Sequence, residues 1–298
     1  MSAETIERAA VSIERDGAVA TIVLCRPHRR NALDLDAWIA LREAVLELQE
    51  DAQIRSVILT GADGTFCAGS DLDKRGSSHP LDRMRVINAT AIALSEFPKP
   101  LVAKVDGFAV GAGWNMALLC DFVVAAKGAK FSQIFAKRGL SVDFGGSWIL
   151  PRLVGLQQAK RLVMLAETID AQEAYELGLV TYLVEPAELD EHTSTLAQRL
   201  AAGPPAALSQ SAAMLEHHTS LSLREALDNE ARAQAVNFAT DATDAVRAFV
   251  EKREPIFTGE WAVPGATRWS ERRIAGRMMD EWICTSSPTS SLLSTTVG

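Results

Sequence analysis

Apolar positions along the chain follow two alternating rhythms. Short runs rich in β-branched residues read as strands: Val19-Ala20-Thr21-Ile22-Val23-Leu24, Ser56-Val57-Ile58-Leu59-Thr60, residues 101–106 and Phe122-Val123-Val124-Ala125-Ala126. Val11-Ser12-Ile13 reads as another, turned into the next run by Asp16-Gly17. Between the runs the period changes. From Asp34 to Glu50, Trp38, Leu41, Val45 and Leu48 recur at helical spacing, with Asp34 or Asp36 as a candidate cap. Residues 83–97 read as a second helix, ended by Phe97-Pro98-Lys99-Pro100. Alternating strands and helices argue for an α/β core with a largely parallel sheet. From about Gln157 the pattern is mostly helical, with candidates at Leu208–His218, Leu223–Phe238 and Asp241–Glu251.

Two of the strands run into loops with little side-chain bulk. One is Phe66-Cys67-Ala68-Gly69-Ser70-Asp71-Leu72; the other runs from Gly107 through Gly111-Ala112-Gly113-Trp114-Asn115 into a helix reaching about Cys120. Small residues let a ligand approach the backbone, and free amides at a helix start suit an anionic oxygen. Two converging amides make an oxyanion hole. A tight strand-to-helix turn is the plainer reading of either loop alone. A polar stretch from Lys74 to Asp82 reads as mobile and flanks a pocket mouth.

Bulk properties narrow the choice. A net charge of −8 argues against nucleic acid as the main partner. Apolar residues make up 48% of the chain, enough for a full core. Cys25, Cys67, Cys120 and Cys284 are scattered without metal-ligand or disulfide spacing, so no metal site and a reducing, cytoplasmic setting are expected. The first residues lack signal-peptide order, and no apolar run reaches spanning length.

The ordered set of motifs resembles the crotonase family, the enoyl-CoA hydratase/isomerase superfamily. Arg26-Pro27 with Asn31-Ala32-Leu33 is similar to its CoA-side turn. Phe131-Ser132-Gln133 through Gly145-Gly146-Ser147-Trp148 and Leu150-Pro151-Arg152 is similar to its third motif, and Ala171 through Gly178-Leu179-Val180 to a later one. The match covers about residues 10–257. The resemblance implies a ββα superhelix in residues 1–200 and a helical trimerisation region in 201–260; the family pattern normally stops there, and residues 261–298 form an extension beyond it. Residues 267–283 of that extension read as an amphipathic helix, followed by a disordered tail. It implies a homotrimer or hexamer acting on acyl-CoA, with the thioester as substrate and no separate cofactor.

Site residues follow from the same resemblance. The hole amides belong to Ser70 and Ala112, and the Ser70 hydroxyl is expected to cap the next turn. An alanine keeps the N–H that a glycine would supply, provided the position does not need positive φ. Arg26, Ala68, Asp71, Phe135 and Trp148 are the expected substrate-binding residues, although family members use the aspartate at the Asp71 position structurally. Phe135, Phe144 and Trp148 packed around Asp143 would raise its pKa. Typical hydratases carry glutamates where this chain has Asn115 and Phe135. Neither replacement moves protons near neutral pH. Asp143 occupies a position that is aspartate in family isomerases and in a dehalogenating branch. It is the candidate base, with Asn115 orienting substrate or water; its alternative is an N-cap for the segment beginning near Gly145. His79 reads as a solvated loop residue or a pocket neighbour, Asp121 as a loop or cap residue.

The expected activity is a double-bond shift through a thioester enolate, in fatty-acid metabolism of the β-oxidation kind. Two rivals stay open. One is hydration or thioester hydrolysis by Asp143 and water; the other is non-catalytic CoA binding.

Overall fold

The computed structural model describes residues 10–73, 79–217 and 220–261. The amphipathic stretch at 267–283, Cys284 and most of the polar stretch after Lys74 lie outside the described residues. A six-stranded sheet runs through the described chain in the order β1 (Val11–Asp16), β2 (Val19–Leu24), β3 (Ser56–Gly61), β4 (Leu101–Val105), β6 (Phe122–Ala126), β9 (Tyr182–Val184). The β1–β2 hairpin is antiparallel and every later pairing in this sheet is parallel. A second sheet of three short strands, β5 (Phe108–Val110), β7 (Lys130–Ser132) and β8 (Thr168–Asp170), stands beside it.

Parallel strands need crossovers, and helices supply them. Helix α1 (Leu35–Glu50) links β2 to β3, and Asp34 caps it by accepting the Ala37 N–H at 3.1 Å. Its predicted stripe, Trp38, Leu41, Val45 and Leu48, is fully buried against Ile22, Leu24 and Leu59 in the main core. Helix α2 (Pro80–Ser95) links β3 to β4. It starts earlier than the periodicity indicates, because the His79 Nδ1 accepts the Leu81 N–H and Pro80 fits the first turn. Helix α3 (Ala112–Leu118) follows β5 and is buried along its whole length. Asp121, just beyond it, accepts the Leu101 N–H at 2.7 Å and so ties that loop to the start of β4.

The later chain is less purely helical than its pattern indicates. Helix α4 (Gly146–Leu165) is broken at Gly155, and α5 (Ala171–Glu176) lies between β8 and β9. Three-residue strands are too short to show a period, so β5, β7, β8 and β9 escape a sequence reading. Helix α6 (Leu189–Ala201) covers the sheet face opposite α1, placing Ala197 and Ala201 on Val19 and Ile58. Helices α7 (Pro205–His217), α8 (Leu223–Ala239) and α9 (Ala242–Glu251) close the described chain. Asp241 holds the segment after them, accepting the N–H groups of Thr258 and Gly259 at 2.8 and 3.0 Å.

Candidate active site

The site lies where β3 and β4 end. The chain turning out of β2 is fastened first. Asn31, fully buried and in the left-handed region, accepts the Arg26 N–H and donates to the carbonyls of Ala62 and Thr65. Leu33 then pairs beside the first loop: its N–H donates to the Gly69 carbonyl and its carbonyl accepts the Asp71 N–H, both at 2.8 Å. That bridge consumes the groups flanking Ser70 and leaves the Ser70 N–H pointing the other way.

The second loop arrives from β5. Cys67 is bridged to Ala109, and the Gly111 N–H donates to the Ser132 carbonyl. Helix α3 begins at Ala112, where the first amides have no intrahelical acceptor. Ala112 is not in the left-handed region, so its methyl group is accommodated and its N–H kept. The loops meet at Gly69, whose φ is +87°. A Cβ there would stand 2.9 Å from the Val110 carbonyl oxygen and 3.4 Å from the Ala112 nitrogen. Only glycine permits that approach.

A cavity of about 410 Å³ opens over this junction. Ala68, Ser70, Asp71 and Ala112 line it, with Phe135 and Asp143 on the opposite segment. Asp143 is half-buried, and burial alone pushes its carboxyl up from 3.8 to about 6. Its Oδ1 is buried without a hydrogen-bond partner. The side chain does not cap α4: the residue preceding that helix is Gly145, with no side-chain bond, and the Gly146 N–H goes to the Asp143 backbone carbonyl. The capping alternative therefore has no geometric support.

Several expected positions come out differently. Arg26 is buried away from the cavity wall. Its guanidinium donates to Asp71 at 3.1 Å, pairs with Asp34 at 2.9 Å and bonds the Ala32 carbonyl. It cannot meet a phosphate without breaking that cluster; Arg29, Arg30 and Arg138 are the basic residues that line the cavity. The run His28-Arg29-Arg30 was the available signal. Arg29 pairs with Asp73 at 2.6 Å, and the Arg30 guanidinium lies 5.5 Å from the centre of the Phe108 ring. Asp71 is structural: burial raises its carboxyl, but the Asp73 N–H and the Arg26 guanidinium outweigh this and hold it below the ordinary range.

Asn115 does not line the cavity. It is fully buried, its Nδ2 donating to the Asp143 carbonyl and its Oδ1 accepting from Gln133, each at 2.8 Å. Trp148 lies outside the cavity, on the surface under Arg152, whose guanidinium is 3.9 Å from its ring centre. The Ser70 hydroxyl caps no turn; it is buried without a partner. Gln133 and Phe108 carried no sequence signal beyond their neighbours.

The family model for enoyl-CoA hydratase/isomerase matches residues 14–260. The chain belongs to that family. Its fold is the crotonase fold, and it is an acyl-CoA enzyme of the enoyl-CoA hydratase/isomerase kind. A short-chain-enoyl-CoA hydratase from Clostridium acetobutylicum is 34% identical over 249 residues, 82% of this chain and 95% of that protein. A 1,2-epoxyphenylacetyl-CoA isomerase from Escherichia coli K12 is 35% identical over 250 residues, 81% and 95% of the two chains. The crystal structure of an enoyl-CoA hydratase from Bacillus anthracis is similar with a TM-score of 0.80 and 32% identity, covering 84% of this chain and 100% of that one. Enoyl-CoA hydratase/isomerase members thus resemble this chain under both kinds of name. Among the described residues no helix is long and apolar enough to cross a membrane.

Proposed function

We propose that this family member shifts a double bond along an acyl-CoA, with Asp143 as the base. The observation that carries the reading is the Asp143 carboxyl: it lines the cavity, lacks a partner for Oδ1 and is raised to about 6 by burial. A base with that value is mostly ionised at neutral pH yet holds a proton long enough to return it. The thioester oxygen sits between the Ser70 and Ala112 N–H groups. Asp143 removes a proton from C2 of a 3-enoyl group, the C3–C4 pair shifts to C2–C3, and the proton returns to C4. The two amides carry the enolate charge in between; each such donor is worth about 3–4 kcal/mol in the transition state.

Hydration asks for a second acid–base group. Asn115 is spent on backbone and Gln133, and Phe135 offers a ring, so the two usual carboxylates have no substitute at those positions. Arg29 and Arg30 are the proposed CoA contacts. The helices of residues 201–260 are the proposed assembly region of a trimer, motivated by exposed apolar side chains such as Phe249, 84% accessible, and Val250. The site as proposed calls on no cofactor beyond the thioester, and the reduced Cys25, Cys67 and Cys120 suit a cytoplasmic enzyme.

The test is incubation with paired 2-enoyl-CoA and 3-enoyl-CoA substrates in deuterated water, followed by mass analysis. Isomerisation gives deuterium at C2 and C4 and no gain of water, and Asp143→Asn abolishes it. Water addition without exchange, or near-native turnover by folded Asp143→Asn, overturns the reading.

A further inference from the structure

Asp34 and Asp170 directly precede their helices and cap them, whereas Asp143 lies three residues before α4 begins. Asp34 accepts the Ala37 N–H, and Asp170 accepts the Glu173 N–H at 2.9 Å. Asp143 is equally three residues before Gly146, but Gly146 is the first residue of α4, and the Asp143 carboxylate accepts nothing from that helix. Its backbone carbonyl is used instead. That one oxygen accepts the Gly146 N–H at 3.0 Å and the Asn115 Nδ2 at 2.8 Å.

The two amides behind it have a defined direction. A carbonyl can only accept, so Asn115 must turn its NH₂ toward Asp143 and its Oδ1 toward Gln133. Gln133 must then present its own NH₂ to Asn115, as it does at 2.8 Å. This leaves the Gln133 Oε1 buried with no partner, a cost the arrangement carries. Space is reserved for it as well: a Cβ on Gly146 would lie 2.4 Å from the Asn115 Nδ2. On the far side, Phe144 has φ +50° and is buried with its ring centre 5.0 Å from that of Trp38. A bulky residue keeps such a backbone only when its surroundings impose it.

We propose that Gln133 and Asn115 are positioning residues that hold Asp143 by its backbone, so that its carboxylate cannot turn back to cap α4 and stays unpaired in the cavity. The base role of Asp143 rests on the proposed isomerase reading; the positioning itself does not. The charged groups on neighbouring elements are Arg29 and Arg30 beside the first loop, Asp71 within it and Asp73 just after it, Lys137 and Arg138 before Gly139, and Arg152, Lys160 and Arg161 on α4; α3 contributes none. None of them contributes to the raised value of Asp143, which is due to burial. Loss of the amide pair is therefore read directly as a fall in the pH at which this carboxyl titrates.

The experiment is a carbon-13 NMR titration of the Asp143 carboxyl in free enzyme, assigned by Asp143→Asn, in Gln133→Leu, Gln133→Glu and Asn115→Leu. Glutamate at 133 reverses the relay, since a carboxylate cannot donate to Asn115 Oδ1. Each folded variant is expected to titrate about one pH unit lower. The acid limb of its rate profile moves with it, kcat falls roughly tenfold and KM stays within about twofold. If Asn115→Leu fails to fold, the Gln133 variants read the same relay from its surface-distal end. Folded Gln133 variants that titrate at the wild-type pH overturn the proposal, because side chains that only fill space do not move a proton equilibrium. Shifted titrations in an enzyme with no isomerase activity would leave the relay standing and remove the isomerase reading.

Discussion

Replacing the Asp143 carboxyl with an amide should make the protein more stable as pH rises, relative to the wild type, while removing its chemistry. In the folded chain the carboxyl is raised from 3.8 to about 6 by burial. The folded state therefore prefers the protonated form, and its contribution to stability is fully present below about pH 4 and lost as pH rises through about 6. The difference between those two values corresponds to ~3 kcal/mol. Asparagine does not titrate. It carries a fixed offset of its own, because a buried amide next to an unpartnered position costs about 1–3 kcal/mol at every pH. The offset cancels when the two proteins are compared across pH, as do the ionisations they share. Urea unfolding of wild type and Asp143→Asn, followed by circular dichroism between about pH 4 and 8, should show their stability difference growing by ~3 kcal/mol toward neutrality. A difference that stays flat would mean that Asp143 is paired or solvated in the folded protein. The raised base, and the isomerase chemistry built on it, would then fall.

Other outcomes follow from the same geometry. Arg26→Met should cost about 3–5 kcal/mol of stability, measured by urea unfolding, because it strands the buried Asp71 carboxylate. Arg30→Ala should leave stability within about 0.5 kcal/mol and weaken acyl-CoA binding in a calorimetric titration. Asn115→Glu should fail to restore hydration of a 2-enoyl-CoA and should destabilise the fold, since a carboxylate would face the Asp143 carbonyl with Gly146 packed against it. The Cys67 thiol, buried and pushed up to about 12, should resist alkylation in the native protein and react only on unfolding.

The parts legible in the sequence are those with a period or a fixed backbone requirement. The α1 stripe and the strands at 19–24 and 56–60 declare themselves through many residues acting together. The two glycine-bearing loops do so through their small residues, and Asp143 through its place in a motif. What stayed hidden depends on single contacts between distant segments. The charge of Arg26 pointed to a phosphate, but its direction is set by Asp34 and Asp71, and no local pattern reveals that pairing. Asn115 was visible as a missing acid; its bond to the Asp143 carbonyl spans 28 positions and has no sequence signature. Trp148 lies within the third motif in sequence, yet helical turn geometry carries it to the outer surface.

The Gly69–Ala112 approach divides labour in this molecule. The groups that would hold negative charge are main-chain amides, which every residue but proline possesses, and they are fixed by the way two neighbouring parallel strands end. The groups that would move protons are side chains carried on a different segment, from Gln133 to Asp143. A mutation in that segment can alter which atom gains or loses a proton while the cradle beneath stays intact. Inventiveness and reliability are thus housed in separate stretches of chain, and new reactions can be tried without rebuilding the place where they occur.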